Sequence, residues 1–108
     1  MNQTTIGCVK AATRILGDKW TPQLLRFFVN EESVRFCQIQ DLVDGINPRT
    51  LSARLDSLEK EGIIEKVTTT DTNRCEYRLT QKGHELTPIL RDMQVWSDRY
   101  ASAANNAA

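Results

Sequence analysis

At 108 residues the chain is one domain long, and a body of this size folds on a hydrophobic core without a structural metal or a disulfide framework. Its fourteen Lys and Arg balance fourteen Asp and Glu, so net charge gives no pull toward a polyanion, and nucleic-acid binding requires the charges to be segregated on the fold. No apolar run reaches the roughly 18 to 20 residues that cross a bilayer, and Met1-Asn2-Gln3-Thr4-Thr5 lacks the basic start and apolar core of a signal peptide. We therefore expect a cytoplasmic protein. Its three cysteines, Cys8, Cys37 and Cys75, have no Cys-x-x-Cys spacing and are expected to be reduced thiols, with no metal or cofactor.

The first predicted helix opens at Cys8, carries Cys8, Ala11, Ala12 and Ile15 on one face, and stops at Gly17. Asp18 is placed to cap the next helix, and Pro22 is tolerated in its first turn. There Trp20, Leu24, Phe27 and Phe28 form one stripe while Leu25 and Val29 lie opposite, so this helix is expected to be central and buried. A third helix over Phe36–Val43 has Ile39, Leu42 and Val43 as its apolar residues and is broken by Asp44-Gly45.

The next stretch, Ile46 to Gly62, is the most sharply delimited in the chain. Asn47 is a favoured N-cap, Pro48 sits where a missing N–H costs nothing, and Gly62 stops the helix. Ile46 and Leu51 are spaced for a hydrophobic staple. Leu51, Leu55 and Leu58 fall on one stripe; Arg49, Thr50, Ala53, Ser57 and Lys60 fall on the other side. Helix, short Gly-containing turn and helix make a helix-turn-helix pattern, whose second helix enters the DNA major groove. Ile63–Thr69 and Cys75–Leu79, joined by the polar residues Thr70 to Arg74, then read as a β-hairpin, the wing of a winged helix.

After the hairpin, Thr80 is placed to cap a long helix running to about Tyr100, distorted at Pro88 because a proline cannot donate to the His84 carbonyl. Leu86, Ile89, Leu90, Met93, Trp96 and Tyr100 recur at steps of three and four, a stripe too long for a small body to cover. A second copy of the chain is expected to cover it. His84 has no cysteine or carboxylate at a spacing that singles it out, and reads as a surface residue. An enzyme using Cys8 or Cys37 as nucleophile is the weakest reading, since neither a Cys–His pairing nor a phosphate-cradling Gly loop is evident.

In the order and spacing of its motifs, the chain resembles the HxlR-type winged-helix transcriptional regulators of bacteria. The residues that carry the resemblance are Cys8, Leu16-Gly17-Asp18-Lys19-Trp20-Thr21, Arg35-Phe36, Ile46 to Leu55, Leu58 to Ile64, Glu76 to Thr80, Gly83 and Trp96. Val9 and Cys37 depart from the pattern, standing where a proline and a small polar cap are usual. The resemblance implies a short strand at Val34-Arg35-Phe36 that pairs with the hairpin. It also implies a thiol-based signal, because some members use a cysteine at the place of Cys8 as a sensor of oxidants or electrophiles. A helix N-terminus there favours a reactive thiolate.

These readings converge on a mainly α fold with a small β-hairpin wing (α+β), a single winged helix-turn-helix domain over 1–108 with 101–108 a disordered tail. Helix 47–61 is expected in the major groove of a pseudo-palindromic, double-stranded operator, with wing 68–75 on the backbone or minor groove. The DNA-contacting set is Arg35, Gln38, Arg49, Thr50, Ser52, Ala53, Arg54, Ser57 and Arg74. Cys8, Ala12, Leu86, Leu90, Met93, Trp96 and Tyr100 are expected to build a homodimer, and Cys8 is the candidate redox sensor, with a small electrophile or oxidant as inducer. A winged helix that binds protein and not DNA is the alternative that a neutral net charge allows.

Overall fold

Local chemistry delimits each element before packing joins them. The computed structural model describes the backbone of residues 6–69 and 74–107, and the side chains of these except at 69, 74, 75 and 102–107. The described elements are, in order, α1 (Lys10–Leu16), α2 (Thr21–Leu25), β1 (Val34–Arg35), α3 (Phe36–Leu42), α4 (Pro48–Lys60), β2 (Ile64–Thr69), β3 (Arg74–Leu79), α5 (Gln81–His84) and α6 (Thr87–Ala107). Asn47 caps α4 as expected, its Oδ1 accepting the Thr50 amide at 2.8 Å, with Pro48 as the first helical residue. Gly45 and Gly62, with φ of 82° and 78°, take the left-handed conformation, Gly45 in the turn before α4 and Gly62 just past the end of α4 itself.

The hairpin β2–β3 is antiparallel, in register from Ile64 opposite Leu79 to Thr69 opposite Arg74. The short strand β1 adds to its other side, Val34 opposite Tyr77, giving the order β1-β3-β2. The core is shared by Leu24, Leu25 and Phe28 after the first turns, Ile39 and Val43 of the third helix and its end, the α4 stripe Leu51, Leu55 and Leu58, and Ile63, Ile64, Tyr77 and Leu79 from the sheet. Ile46 and Leu51 are both buried, as a hydrophobic staple requires.

Several expectations are corrected. Cys8 does not open α1: the N-cap is Val9, the helix begins at Lys10, and Cys8 is exposed ahead of it. No residue of α1 is fully buried; Ile15 and Leu16 pack partly against the core, so the helix leans on the body with one end only. The second helix is shorter than its apolar pattern, ending at Leu25 and giving way to turns over residues 26–30, in which Phe28 is buried and Phe27 and Val29 only in part. Leu42 is 53% exposed, because Val43, four residues after Ile39, takes the core position as the chain leaves helical geometry.

The long final helix is two helices. Thr80 caps only α5, its Oγ1 accepting the Gly83 amide at 3.1 Å while its hydroxyl lies within reach of the Gly62 and Ile63 carbonyls. A tight turn at Glu85 and Leu86 follows, and α6 starts at Thr87. The cause is the one expected of Pro88: placed in the first turn of a new helix, a proline leaves no orphan donor demand. Leu86, expected on the dimer face, is buried in the core, since the turn between α5 and α6 brings it into the core cluster. Leu90 packs partly against the same cluster. From Arg91 to Ala101 every described side chain is exposed, and the backbone stays helical through Ala107, past the end expected near Tyr100.

Candidate nucleic-acid interface

Burying Leu51, Leu55 and Leu58 orients α4 and so decides which residues face outward. Arg49, Ser52, Ala53 and Ser57 are exposed, and Thr50 is half-buried beside the cap its amide completes. The first two turns therefore carry one cation among small side chains. The later turns also expose Asp56, Glu59 and Lys60, a mixed face. Short side chains next to Arg49 let a groove wall approach the helix backbone closely, and Ala53 offers a methyl of the kind that meets a thymine methyl.

The structure places Arg54 differently from Arg49. It is half-buried, and its Nε lies 3.6 Å from Oδ1 of Asp18, a charge contact too long for a hydrogen bond. That Nε is shielded from solvent and has no hydrogen-bond partner among the described residues. Asp18 itself is held firmly: its Oδ1 accepts the Trp20 and Thr21 amides, both at 2.8 Å, and its Oδ2 accepts the Thr21 hydroxyl. Partial burial pushes the Asp18 carboxyl up, but the Thr21 hydroxyl, the two amides and Arg54 outweigh it and hold it below the usual carboxylate range.

Arg35 is the residue that caps α3, and its amide donates to Oε1 of Gln38 at 2.9 Å. Gln38 is exposed, and its side-chain carbonyl serves the cap. On the wing, Lys66 is exposed and lies over the Tyr77 ring at 5.8 Å, and Arg78 pairs with Glu65. The expected wing contact of Arg74 falls outside the described side chains, as do residues 70–73 at its tip.

Three contacts escaped the sequence reading. Asp18 was legible as a cap but not as the partner of Arg54, 36 residues away. Arg14 of α1 donates to Glu61 at the end of α4, Nη2 to Oε2 at 2.8 Å, and the Lys82 ammonium donates to the Glu61 carbonyl at 2.6 Å. The Arg14 guanidinium hydrogen bond holds the Glu61 carboxyl below its ordinary range against a small opposing desolvation, with Lys82 adding to it. No sequence signal pairs these residues, because their separation is set by the fold.

The other exposed feature is apolar. Ile89, Met93, Trp96 and Tyr100 line α6, Trp96 being 63% exposed and stacked at a tilt on Tyr100 with ring centres 5.3 Å apart. Ile6 and Val9, flanking Cys8, are exposed as well. Cys37, one residue into α3, is the other exposed free thiol among the described residues.

With this geometry in place, the profile of the HxlR-like helix-turn-helix family matches residues 15–105. The chain belongs to the HxlR-like family. Among its relatives is the uncharacterized HTH-type transcriptional regulator YvaP of Bacillus subtilis, 36% identical over 90 residues that span 82% of each chain. The HTH-type transcriptional regulator YodB of the same organism is 28% identical over 93% of this chain and 89% of its own. The reduced form of YodB superposes with a TM-score of 0.76 over 88% of this chain and 95% of that one; diamide-treated and quinone-bound forms of YodB are similar too. The redox regulator HypR in its reduced form gives a TM-score of 0.82 at 25% identity, over 91% of this chain and 97% of that one. The winged-helix arrangement of α3, α4 and the β2–β3 wing is thus that of the HxlR-like regulators, and among the described residues no helix is long and apolar enough to cross a membrane.

Proposed function

We propose that this HxlR-like protein is a transcriptional regulator that acts on DNA in the cytoplasm as a homodimer, with the N-terminal half of α4 in the major groove. The observation that carries the reading is the orientation of α4. Its apolar stripe is fully buried, so Arg49, Thr50, Ser52 and Ala53 are what the helix offers to a groove. Asp56 and Glu59 repel phosphates, which restricts the approach to the first two turns, where recognition helices contact base edges. Arg35, Gln38 and Ser57 border that surface, and Lys66 with Arg74 supplies cations for the backbone along the wing. The α6 stripe of Met93, Trp96 and Tyr100, with Leu90 at its root and Cys8 and Ala12 at the other end of the chain, meets a second copy. The two-fold axis then presents α4 twice, at half-sites about one helical turn, roughly 34 Å, apart.

The test is salt-dependent binding to the duplex that the wild-type protein enriches from a randomised pool. Operator binding requires an affinity that falls steeply with salt and a pseudo-palindromic preference. The exposed Asp56 and Glu59 favour one rival, a winged helix that docks on protein. An enriched pool with no sequence preference and a flat salt response decides for the rival.

Exposed Cys8, ahead of α1, is the thiol through which an oxidant or a quinone-like electrophile acts in this reading. It has the accessibility such a reaction needs, and YodB, its relative, has been captured with diamide treatment and with quinone. Cys37 is the competing thiol. Electrophile must change operator affinity in wild type and in Cys37→Ser, and leave Cys8→Ser unaffected; equal responses of wild type and Cys8→Ser remove Cys8 from the role.

A further inference from the structure

We propose that Asp18 and Arg54 form a positioning pair that sets the angle at which α4 meets DNA, so that Arg54 governs recognition from behind the helix without touching the operator. The proposal rests on α4 being the DNA-reading helix. Arg54 sits between the buried stripe and the outward face of α4, and its guanidinium turns back toward the start of α2. What it meets there is fixed: the Trp20 and Thr21 amides hold Oδ1 of Asp18 and the Thr21 hydroxyl holds Oδ2. Thr21 is the buried polar residue of this corner, and its hydroxyl is satisfied by the same carboxylate. Arg54 Nε, dry and without a hydrogen bond among the described residues, depends on the Asp18 charge at 3.6 Å for its stabilisation.

A second tie lies about two turns further along. Arg14 grips Glu61, so the α1–α2 corner holds α4 at its middle and at its end, around a cavity of about 260 Å³ lined in part by Ile15, Thr21 and Ser57. The outer of these ties is the more exposed and weak by the usual measure of surface pairs; the inner one is partly exposed, but its Arg54 Nε is dry and its Asp18 Oδ1 is anchored by two backbone donors. A rotation of α4 about its own axis is resisted by Leu51, Leu55 and Leu58, but a tilt of its N-terminal half relative to α2 is resisted by the Asp18–Arg54 contact. The base-facing Arg49 and Ser52 ride on that half.

The experiment is a double-mutant cycle on the duplex selected by wild-type protein, with Asp18→Asn, Arg54→Met and the double variant. Asn keeps an acceptor for the Trp20 and Thr21 amides, and Met keeps the length and packing of the arginine stem. Affinities for the selected duplex and for an unrelated duplex are measured across salt concentrations, with thermal unfolding as a check that each variant is folded. The pair predicts that each single change lowers the ratio of selected to unrelated binding by about tenfold, and that the double variant is no worse than either single one. The slope of log affinity against log salt stays that of wild type.

A phosphate contact by Arg54 gives another pattern: Arg54→Met weakens both duplexes alike and lowers the salt slope by about one, and Asp18→Asn does nothing. A base contact confines the loss to one operator position in Arg54→Met and again spares Asp18→Asn. A merely structural pair lowers the unfolding temperature and leaves the ratio unchanged. Each of these three outcomes overturns the positioning role while leaving α4 as the reading helix. A wild-type protein that enriches no sequence overturns the assignment of α4, and this proposal with it.

Discussion

In α4 the apolar stripe of Leu51, Leu55 and Leu58 is covered by the protein's own core, whereas in α6 the stripe of Ile89, Met93, Trp96 and Tyr100 lies open to solvent. Both helices repeat their apolar residues at three and four residue steps, and the repeat says only that one face must be covered. What covers it is set by where the helix emerges. The α4 stripe lands on β2 and the early helices; α6 leaves the body after Leu90, and its described side chains from Arg91 to Ala101 are all exposed. In the proposed function, the working surfaces are the polar face of α4 and the apolar face of α6.

The largest effect should come from breaking the covered side. Leu55→Ala removes a fully buried side chain at the centre of the core and should cost about 2–5 kcal/mol of folding stability, read by urea unfolding. Because α4 is covered from within, that loss should be the same at low and high protein concentration. A cost under about 1 kcal/mol would mean that the stripe is not core.

The open side behaves differently. Trp96→Ala should leave the folded body of each copy intact but weaken the dimer by about 2 kcal/mol or more, roughly thirtyfold in dissociation constant, as a large aromatic at the middle of an interface does. Sedimentation at several concentrations measures it, and Met93→Asp should act in the same direction. A wild-type protein that sediments as a stable monomer at micromolar concentration would leave the α6 stripe without its expected partner.

What could be read in advance follows the same division. The limits of α4 were legible because caps, Pro48 and Gly62 act within a few residues of themselves. The hairpin and its pairing with β1 were legible for a similar reason, helped by the family resemblance. The break at Glu85 and Leu86 was half legible: Pro88 announced a distortion, but whether a proline bends one helix or starts another depends on Leu86 finding a place in the core. Cys8 fits a helical face by its spacing to Ala12 and Ile15, yet α1 starts only at Lys10, and spacing alone does not say where a helix begins. Gln38 is expected to contact DNA, and its spacing of three from Arg35 is also that of a residue reaching back to cap, as its Oε1 does for the Arg35 amide. The Asp18–Arg54 contact had no local signal, since it joins residues brought together only by tertiary packing.

Smaller effects test the exposed face of α4. Arg49→Ala should cost about 1–3 kcal/mol of operator affinity and relax one base position if it makes a bidentate guanine contact, with unfolding unchanged. Equal weakening on every sequence would make Arg49 a phosphate contact instead. Asn47→Ala should cost about 1 kcal/mol of folding stability through the lost bond to the Thr50 amide, and a wild-type unfolding curve would show that Pro48 alone suffices to start the helix.

The smallest expected effect is a pH dependence, and it sharpens the comparison because it acts on the α2–α4 contact and not on α6. The folded Asp18 carboxyl is held below its unfolded value, since the hydrogen bonds from Thr21 and Trp20 and the Arg54 charge outweigh its partial burial. A group shifted in this direction contributes stability that is fully present above the unfolded pKa and is lost as pH falls through the folded one. The loss should thus begin below about pH 4 and continue as Asp18 takes up its proton. Glu61, lowered chiefly by the Arg14 hydrogen bond, is exposed and should add little to the same trend. Wild-type unfolding free energy measured between pH 6 and pH 3 should fall more steeply than that of Asp18→Asn, which has no proton to gain, and the two curves should converge at the acid end. Parallel curves would mean that the Asp18 carboxylate is no better solvated in the folded corner than in water, and the hold of α2 on α4 would then have to come from packing alone.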